Sequence, residues 1–402
     1  MRPYAGSRIV LGITGGIASY KAAWLARLLT KAGAAVDVVM TPAATEFVGA
    51  ITFEALTGRL VHSGLFDQGR ALDHIHLAHG ATAIVVAPAT ADFIARAATG
   101  QASDLLAACL LAASAPVMIV PAMNDVMWAH AQTQRNVEHL RGLRYRVVPP
   151  DDGALAAGEG AGPGRMPEPE TIFAHVGRLI ESAGALREKR VLVTAGPTRE
   201  PIDPVRFISN HSSGKMGVAI AAAAWRRGAR VDLVAGPMSA SPPEGVDVHS
   251  IRSTEEMAAA VDQLLPHADV LVMAAAPADF RPSLPAASKI KKTTTPPAIV
   301  LEATPDILRS TKNSRRRSAV IVGFALETND AVDNGRAKLA AKDLDLIVVN
   351  DATEDGAGFG IDTNRVTLLH RKGVDEPLPL MSKADVADAI LDRVERMLSA
   401  GE

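Results

Sequence analysis

The feature that most constrains the fold is a pattern that occurs twice: an apolar strand, a turn containing glycine, and an amphipathic helix. The first copy has a predicted strand at 8–14 and a helix at 18–32, and the second has a strand at 191–194 and a helix at 214–227. Further apolar strands alternate with helices after each copy. Continuous apolar strands joined by helices indicate a parallel sheet covered on both faces. We therefore predict an α/β protein with two doubly wound, mainly parallel, Rossmann-like sheets.

A segment rich in glycine, proline and acidic residues separates the two alternating regions. It lies at about 150–170 and is followed by a predicted helix at 170–183. A long segment of this composition is typical of a linker or of a lid over a binding site. We place the domain boundary after that helix, which gives domains at 1–188 and 189–402.

Composition and charge argue against several classes of partner. The 402 residues carry a formal net charge of −2, so no overall positive field attracts nucleic acid or an anionic membrane. No apolar run is long enough for a transmembrane helix. The one cysteine, Cys109, lies in an apolar run and is expected in a core. A chain that cannot form an internal disulfide fits a reducing compartment, so we predict a cytoplasmic protein.

Four loops that follow predicted strands of the first domain are candidates for ligand binding. Ligands of open α/β sheets collect where the carboxyl ends of the strands meet. The first loop is rich in glycine and precedes a helix, where backbone amides can hold an anion, although a simple tight turn would use glycine equally well. Its spacing differs from the G-x-G-x-x-G of dinucleotide sites. The loop residues are Gly15, Gly16, Ile17 and Ala18; Thr41; Pro88, Ala89 and Thr90; and Met123, Asn124, Met127 and Trp128.

A polar string in the second domain has the composition of a phosphate site. Ser212-Ser213-Gly214-Lys215 directly precedes a predicted helix and offers hydroxyls, backbone amides and an ammonium group. It is not a P-loop, because the leading glycine of that motif is missing. A polar helix cap could have the same residues. Arg199, Arg206 and Asn210 lie close by in the sequence and favour phosphate binding.

Residues 7–180 resemble the flavin-containing cysteine decarboxylases, in particular phosphopantothenoylcysteine decarboxylase. The resemblance rests on Pro121-Ala122-Met123-Asn124 with Met127-Trp128, on Asp73-His74-Ile75-His76-Leu77, and on Gly162-Pro163-Gly164-Arg165-Met166. It implies a flavodoxin-like domain that forms homo-oligomers, with His74 and Asn124 catalytic and with Met123, Met127 and Arg165 binding substrate. The implied FMN contacts are Gly15, Gly16, Ile17, Ala18, Thr41, Pro88, Ala89, Thr90 and Ser103.

The chemistry of that reaction suits these residue types. Loss of the carboxylate from a C-terminal cysteine leaves a poor carbanion unless its electrons have a sink. Oxidation of the thiol by FMN gives a thioaldehyde, which is such a sink. A neutral histidine such as His74 can accept a proton near pH 7. An amide such as Asn124 can bind the carboxylate without the strong ion pairing that would resist its loss.

Residues 189–397 resemble phosphopantothenate–cysteine ligase. The resemblance rests on the string 194–217, on Ala274-Ala275-Ala276-Pro277-Ala278-Asp279-Phe280 and on Lys289-Ile290-Lys291-Lys292. It implies that CTP activates 4′-phosphopantothenate as an acyl-cytidylate, which cysteine then attacks, with Asn210 and Lys289 catalytic. Arg206, Ser212 and Lys215 then bind substrate, and Mg²⁺ accompanies the triphosphate, with Asp279 as its candidate ligand. The implied CTP contacts are Ala274, Ala275, Asp279, Lys289, Pro305, Asp306, Ile307, Leu308, Phe324, Lys338 and Lys342.

In this order the two domains resemble the bacterial bifunctional proteins of coenzyme A biosynthesis over nearly the whole chain. The ligase product, 4′-phosphopantothenoylcysteine, would then be decarboxylated to 4′-phosphopantetheine. The sequence leaves two alternative functions for the first domain. A dinucleotide-dependent oxidoreductase is disfavoured, because the strand ending at Thr41 has no acidic residue to bind a ribose. On spacing alone, Lys338 and Lys342 could be a solvated helix face.

The other alternative is a first domain that binds FMN without catalysing, as a scaffold for oligomers. One departure from the family keeps this alternative open. Many relatives carry a cysteine in the lid, which is the implied proton donor of the last step, and Ala157 fills that position here. We expect water or Glu159 to deliver the proton instead, so we favour an active decarboxylase.

Overall fold

The computed structural model describes residues 2–65, 70–155, 158, 160–292, 298–327, 329–351, 358 and 360–400. Ala157 and Glu159, on which the question of the proton donor depends, lie outside the described residues. The chain divides into two compact units, Met1–Glu181 and Ser182–Glu402. No helix in the described part of the chain is long and apolar enough to cross a membrane.

The first unit is a parallel five-stranded sheet with the strand order β2-β1-β3-β4-β5, which is the flavodoxin-like order. A separate two-stranded hairpin, β6–β7, follows the sheet. The elements are β1 (Arg8–Ile13), α1 (Ser19–Lys31), β2 (Ala35–Met40), α2 (Pro42–Thr45), α3 (Ala50–Thr57), α4 (Asp73–Gly80), β3 (Ala83–Ala89), α5 (Ala91–Thr99), α6 (Leu105–Leu111), β4 (Val117–Pro121), α7 (Asp125–Ala129), α8 (Ala131–Gly142), β5 (Arg146–Val147), β6 (Asp151–Ala154), β7 (Ala161–Arg165) and α9 (Pro169–Glu181).

Both faces of this sheet are buried, as the continuous apolar strands predict. On β1, Ile9 and Leu11 pack with α1 and α9 on one face, and Val10 packs with α5 and α6 on the other. Cys109 of α6 is fully buried, and burial raises the pKa of its thiol to about 12. The core role predicted for Cys109 is therefore confirmed.

The candidate lid is more regular than the sequence predicts. Its glycine- and proline-rich composition indicates an irregular segment, but β6 and β7 pair as an antiparallel hairpin, with Ala154 opposite Ala161. The register shifts between Asp151 and Asp152, which is the mark of a bulge. The prediction of an irregular segment is therefore wrong for these two strands. Their pairing depends on backbone hydrogen bonds, and the pattern of side chains in the sequence does not indicate these bonds.

In the described part of the second unit, an eight-stranded sheet has the order β12-β11-β8-β13-β16-β17-β19-β20, and three two-stranded sheets accompany it. The elements are β8 (Arg190–Ala195), β9 (Arg199–Pro201), β10 (Phe207–Ser209), α10 (Lys215–Arg226), β11 (Arg230–Ala235), β12 (Asp247–Ser250), α11 (Thr254–Leu264), β13 (Val270–Met273), β14 (Phe280–Pro282), β15 (Leu301–Ala303), α12 (Ile307–Ser310), β16 (Val320–Glu327), α13 (Ala331–Ala341), β17 (Leu346–Asp351), β18 (Thr363–Asn364), β19 (Thr367–His370), β20 (Glu376–Pro377), β21 (Met381–Ser382) and α14 (Lys383–Ala400), with short 3₁₀ helices at Leu265–His267 and Lys312–Ser314.

The six parallel strands of this sheet follow the chain order 3-2-1-4-5-6, which is the order of dinucleotide-binding Rossmann folds. The sheet continues with β19, which pairs antiparallel with β17, and with β20, which pairs antiparallel with β19. The predicted fold class is confirmed in both units. The strand orders also define where ligands are expected: at the carboxyl ends of β1 and β3 in the first unit, and of β8 and β13 in the second.

Candidate active sites

A pocket of about 400 Å³ lies at the carboxyl ends of β1, β3 and β4. This is the point at which the strand order of the first sheet reverses. The pocket is lined by the loops after those three strands, by the start of α1 and by the lid hairpin. Its lining residues are Gly15, Gly16, Ile17, Ala18, Tyr20, Lys21, Thr90, Ala91, Ala122, Met123, Asn124, Met127, Ala154, Leu155, Gly164, Arg165 and Met166.

A buried threonine joins the first two of these loops. The Thr14 hydroxyl donates to the Pro88 carbonyl at 2.9 Å and accepts from the Thr90 backbone amide at 3.0 Å. Gly15 follows it where the backbone is crowded, since an added Cβ would lie 2.4 Å from the Ala43 Cβ. A Cβ added at Gly16 would have room, because its nearest neighbour would be the Thr90 Cγ2 at 3.7 Å. Glycine at 15 is therefore required by packing, whereas glycine at 16 leaves room in the pocket.

Asn124 is held by its own backbone turn. Its side-chain oxygen accepts from the Val126 amide at 2.9 Å and caps α7. No hydrogen bond from its side-chain nitrogen is found among the described residues, so two N–H groups remain for a ligand. The lid lies against the same segment, because the Met123 amide donates to the Gly164 carbonyl at 3.0 Å. A Cβ at Gly164 would meet the Met123 carbonyl oxygen at 2.3 Å, so the contact needs glycine.

Several residues expected at the flavin site lie outside the lining of this pocket: His74, Thr41, Pro88, Ala89 and Ser103. His74 lies in the first turn of α4, beside Asp73, whose carboxylate binds His62 at 2.9 Å. The His74 Nδ1 and the Thr41 hydroxyl are buried and have no hydrogen-bond partner among the described residues. Buried polar atoms are rarely left without a partner. These two atoms are therefore available to a group that the protein itself does not supply.

Two of the pockets at the carboxyl ends of the second sheet contain residues predicted for the ligase. One, of about 590 Å³, is lined by residues after β8 and β11, among them Arg199, Asn210 and Ser212. The other, of about 180 Å³, brings together eight of the eleven predicted CTP contacts: Ala275, Asp279, Pro305, Asp306, Ile307, Leu308, Phe324 and Lys342. Asn210 connects the two pockets, because its side-chain nitrogen donates at 2.9 Å to the carbonyl of Pro277, which lines the smaller one.

A chain of buried hydroxyls supports the loop between these pockets. The Thr198 hydroxyl accepts from the Ala278 amide at 2.9 Å and lies 2.9 Å from the Thr254 hydroxyl. Thr254 donates from both its amide and its hydroxyl to one oxygen of the buried Glu200, each at 2.9 Å. The hydroxyl of Thr304 donates to the Ala278 carbonyl at 2.6 Å. These contacts fix the backbone of the 276–279 loop at the switch point of the sheet.

The predicted cations of the second unit are dispersed. The Lys342 ammonium binds Asp306 at 3.1 Å beside the smaller pocket, while Lys338 binds Glu327 at 2.6 Å and Lys289 is exposed; neither Lys338 nor Lys289 lines that pocket. Ala274 is also outside its lining. Lys215 begins α10 and binds Asp362 at 2.7 Å, and its hydrogen bond lowers the pKa of that carboxyl group.

Arg206 is held by a carboxylate that the sequence analysis did not single out. Its Nε donates to Asp203 at 2.9 Å and its guanidinium donates to the Ile290 carbonyl at 2.8 Å. Asp203 is buried and also accepts from the Ile290 amide at 3.1 Å; the hydrogen bond from Arg206 holds the pKa of Asp203 well below its usual range. Asp203 thus anchors the residue after Lys289. In the sequence, the spacing of Asp203 and Arg206 as D-x-x-R could have indicated this ion pair.

Arg315 is a second residue that sequence reasoning missed. Its guanidinium donates to the carbonyls of Leu308, Lys342 and Asp343, so it ties together two sides of the smaller pocket. As one of three consecutive arginines, it has the sequence signature of a solvated loop. No cluster of three or more histidine, cysteine or acidic side chains able to hold a metal is found among the described residues. Asp279 and Asp306 nevertheless line the same pocket.

Comparison with known proteins covers both units. Residues 1–181 match the Flavoprotein family model, and residues 186–398 match the model of the DNA/pantothenate metabolism flavoprotein C-terminal domain. The coenzyme A biosynthesis bifunctional protein CoaBC of Vibrio vulnificus is 43% identical over 402 residues, which cover 99% of this chain and 100% of that protein. The CoaBC of Mycobacterium tuberculosis is 45% identical, with 98% and 97% covered.

Among solved structures, the FMN-dependent cysteine decarboxylase SpaF is 34% identical, with a TM-score of 0.36, over 40% of this chain and 91% of that one. The two family models together account for both units of the chain. The identity to the bifunctional relatives extends over nearly all of its length. The chain therefore belongs to the family of coenzyme A biosynthesis bifunctional proteins.

Proposed function

We propose that the chain performs two consecutive steps of coenzyme A biosynthesis. Residues 189–402 couple 4′-phosphopantothenate to cysteine at the expense of CTP, and residues 1–188 decarboxylate the resulting 4′-phosphopantothenoylcysteine to 4′-phosphopantetheine with FMN. The main support for this proposal is that the chain belongs to this family and that each unit has a pocket at the switch point of its own parallel sheet. The activity belongs in a reducing compartment, the cytoplasm, as the single cysteine suggests.

The first pocket suits a flavin mononucleotide. FMN in flavodoxin-like sheets lies at the β1/β3 switch point, where this pocket is found. The backbone of Gly15–Ala18 and the amino end of α1 offer N–H groups for a phosphate. The Thr41 hydroxyl at the carboxyl end of β2 and the His74 Nδ1 on α4 are buried, and neither has a hydrogen-bond partner in the described part of the chain. When bound, FMN supplies the two-electron oxidation and reduction that the substrate thiol undergoes.

The chain's own residues bind the substrate and move its protons. Asn124 presents its free N–H groups to the carboxylate, and Met123 and Met127 offer apolar contact beside it. Arg165 of the lid carries a positive charge into the pocket, where it meets an anionic end of the substrate. His74 accepts the proton that leaves during oxidation. Water or Glu159 returns a proton in the final step, since Ala157 cannot.

The second site suits activation of a carboxylate by a nucleotide. The smaller pocket holds CTP between Ala275, Phe324 and the start of α12, and Lys342 reaches its phosphates. Asp279 and Asp306 line this pocket and would be the carboxylates that hold a Mg²⁺ ion, which would offset the charge of the triphosphate. Asn210, which reaches from the larger pocket toward the smaller, contacts the acyl-cytidylate formed between them. Arg206, Ser212 and Lys215 bind 4′-phosphopantothenate.

Nucleotide choice tests the ligase. We expect pyrophosphate release with 4′-phosphopantothenate, cysteine, Mg²⁺ and CTP, and much less with ATP; equal use of ATP would refute the assignment. Lys289→Gln should abolish amide formation. Lys291→Gln is its matched control, because both lysines are exposed in the same loop. Equal losses in the two variants would show that general loop charge, rather than Lys289, supports the reaction.

Flavin content and product mass test the decarboxylase. Purified protein should be yellow and should release FMN on denaturation. The product should be 4′-phosphopantetheine. A product lighter by two hydrogens would show that the reductive step fails without the lid cysteine, and an absence of carbon dioxide release would support the scaffold alternative.

The first unit also has the surface of a homo-oligomer. Ile17 just before α1 and Tyr20 and Trp24 on α1 are 65%, 62% and 47% exposed, and Phe47 before α3 and Ile51 on α3 are also exposed. A patch of large apolar side chains beside a ligand pocket is typical of a protein interface. We propose that a second copy of the chain covers it. Light scattering should give a multimer, and a flavin-loaded monomer would contradict the proposal.

A further inference from the structure

Lys21 is a buried lysine at a position that physical chemistry disfavours. It is 7% exposed and lies in the first turn of α1, where the helix macrodipole already places positive charge. Removing an ammonium group from water is costly unless it is paired. A lysine in this position is therefore held by specific partners, and the structure shows which they are.

The ammonium group of Lys21 binds the end of the lid. Its Nζ donates to the Met166 carbonyl at 2.9 Å and to Glu168 Oε1 at 3.1 Å. The same Glu168 oxygen accepts from the guanidinium of Arg165. Glu168 is thus shared by the two cations, and the hydrogen bond from Lys21 is the largest cause of its lowered pKa. Lys21 and Arg165 both line the pocket of the first unit.

These contacts fix the backbone on both sides of Arg165. On one side, the Gly164 carbonyl accepts from the Met123 amide across the pocket. On the other, the Met166 carbonyl is held by Lys21, and the Met166 side chain is buried in the core. The guanidinium of Arg165 is then oriented by Glu168. The contacts of Lys21 with Met166 and Glu168 therefore act on Arg165 from its carboxyl side, and the bond between Gly164 and Met123 acts from the other side.

We infer that Lys21 is a positioning residue of the decarboxylase: through Met166 and Glu168 it holds Arg165 ready for an anionic end of the substrate. The inference rests on the proposed function of the first unit. The substrate has two anionic groups, a carboxylate and a phosphate monoester, and a guanidinium binds either in the same way. A Lys21 that only filled space would have no effect on recognition of an anion.

The test compares Lys21→Met and Lys21→Arg in the full-length, FMN-loaded protein, with carbon dioxide release as the assay. For Lys21→Met we expect KM for 4′-phosphopantothenoylcysteine to rise about tenfold or more, with kcat within about threefold and flavin content unchanged. Lys21→Arg should restore most of the affinity. Lys31→Met is the matched control, because Lys31 is an exposed lysine of the same helix and should behave as wild type.

A second variant and a second substrate sharpen the result. Glu168→Gln should raise KM in the same way, and the effects of Lys21→Met and Glu168→Gln should not add, because both act through one ion network. Pantothenoylcysteine, which lacks the phosphate, identifies the anion: loss of the KM effect would assign Arg165 to the phosphate, and its persistence to the carboxylate.

An unchanged KM in Lys21→Met and Glu168→Gln would overturn the inference. So would a uniform loss of flavin and thermal stability that Lys21→Arg did not rescue, because that pattern marks a structural role. If the wild-type protein released no carbon dioxide at all, the proposed function itself would fail. Substrate affinity, measured by titration of the flavin absorbance, would then still test whether Lys21 acts on binding.

Discussion

The two sheets are alike at the amino ends of their strands and differ at the carboxyl ends. In the first, Arg8 at the start of β1 binds Asp37, the third residue of β2, at 2.5 Å. In the second, Arg190 at the start of β8 binds Asp232, the third residue of β11, at 2.7 Å. The helix between the paired strands is followed in each case by a glycine with a φ of 95°, Gly33 or Gly228. The amino ends of the two sheets therefore share one structural solution.

At the carboxyl ends, one device is shared and the rest differs. Thr14 in the first unit and Thr198 in the second each join the loop after the first strand to the loop across the switch point. Beyond that, the pocket of the first unit is lined in part by the β6–β7 hairpin, whereas in the second unit Asn210 joins two neighbouring pockets. The early βαβ segment therefore supplies the same support in both units, and the later loops give each unit a different pocket.

Exchanging one amide for a carboxylate in each site should separate the two activities, and this is the largest effect we expect. Asn210→Asp loses the donor to Pro277 and places a negative charge beside an anionic intermediate, so ligation should fall by about 10²-fold or more. Asn124→Asp should do the same to decarboxylation, because it repels the substrate carboxylate. Pyrophosphate and carbon dioxide release are measured for both variants. Each is the control for the other, and loss of both activities in either would contradict separate sites.

Gly15→Ala should destabilise only the first unit. The new Cβ would overlap the Ala43 backbone and Cβ, which corresponds to about 3 kcal/mol at the upper end of overpacking costs. Gly16→Ala, where there is room, should leave stability unchanged and weaken FMN binding only. Urea unfolding is followed by Trp24 and Trp128 fluorescence after Trp225→Phe removes the signal of the second unit. Equal stability of the two glycine variants would contradict the crowding at Gly15.

Removing the shared threonine hydroxyl should produce a matched pair of smaller effects. Thr14→Val leaves the Thr90 amide without its acceptor, and Thr198→Val does the same to the Ala278 amide, so each should cost about 1–2 kcal/mol of binding in its own unit. We expect weaker FMN binding for the first and a higher KM for CTP for the second. The Thr→Ser variants retain the hydroxyl and should resemble the wild type. An effect on the other unit's ligand would show that the device is not local.

The strands and helices at the start of each unit could be predicted from the sequence, because the spacing of apolar residues indicates which side chains are buried. The strand predicted at 8–14 is Arg8–Ile13, and the helix predicted at 18–32 is Ser19–Lys31. The lid hairpin and the antiparallel strands β19 and β20 were not predicted, because short, half-exposed pairs such as Asp151–Ala154 have no apolar period. Pairing of this kind is fixed by backbone hydrogen bonds between distant segments, which a single sequence does not show.

The sites were predictable to the extent that their residues stand in loops after strands. Asn124, Met127 and Arg165 line one pocket as expected. Lys21 was not anticipated, because a lysine in an amphipathic helix has the signature of a solvated face, and its partners are about 145 residues away in the chain. Asp203 was missed for a similar reason, since its role depends on Ile290. Residues that orient others are found only when the chain brings distant segments together.

The smallest effect that we expect is on the stability that Asp232 gives to the amino end of the second sheet. Burial alone would raise the pKa of Asp232, but hydrogen bonds from Arg190 and His249 outweigh it, so the pKa is lowered. A carboxyl group with a lowered folded-state pKa stabilises the fold fully above its unfolded value of about 3.9 and loses that contribution as the pH falls further. Because its partners are more than a third exposed, Asp232→Asn should cost only about 1 kcal/mol at pH 7.

The pH dependence distinguishes charge from shape in that prediction. The stability gap between wild type and Asp232→Asn, followed by Trp225 fluorescence in a Trp24→Phe/Trp128→Phe background, should narrow below about pH 4. A gap that persists at pH 3 would mean that packing at residue 232, and not its charge, supports the sheet. Asp37→Asn tests the same device in the first unit, where two arginines, Arg8 and Arg59, hold the carboxylate. A larger loss there than in Asp232→Asn would show that the second arginine is a stronger partner than His249, so that the shared support differs in strength although its geometry is the same.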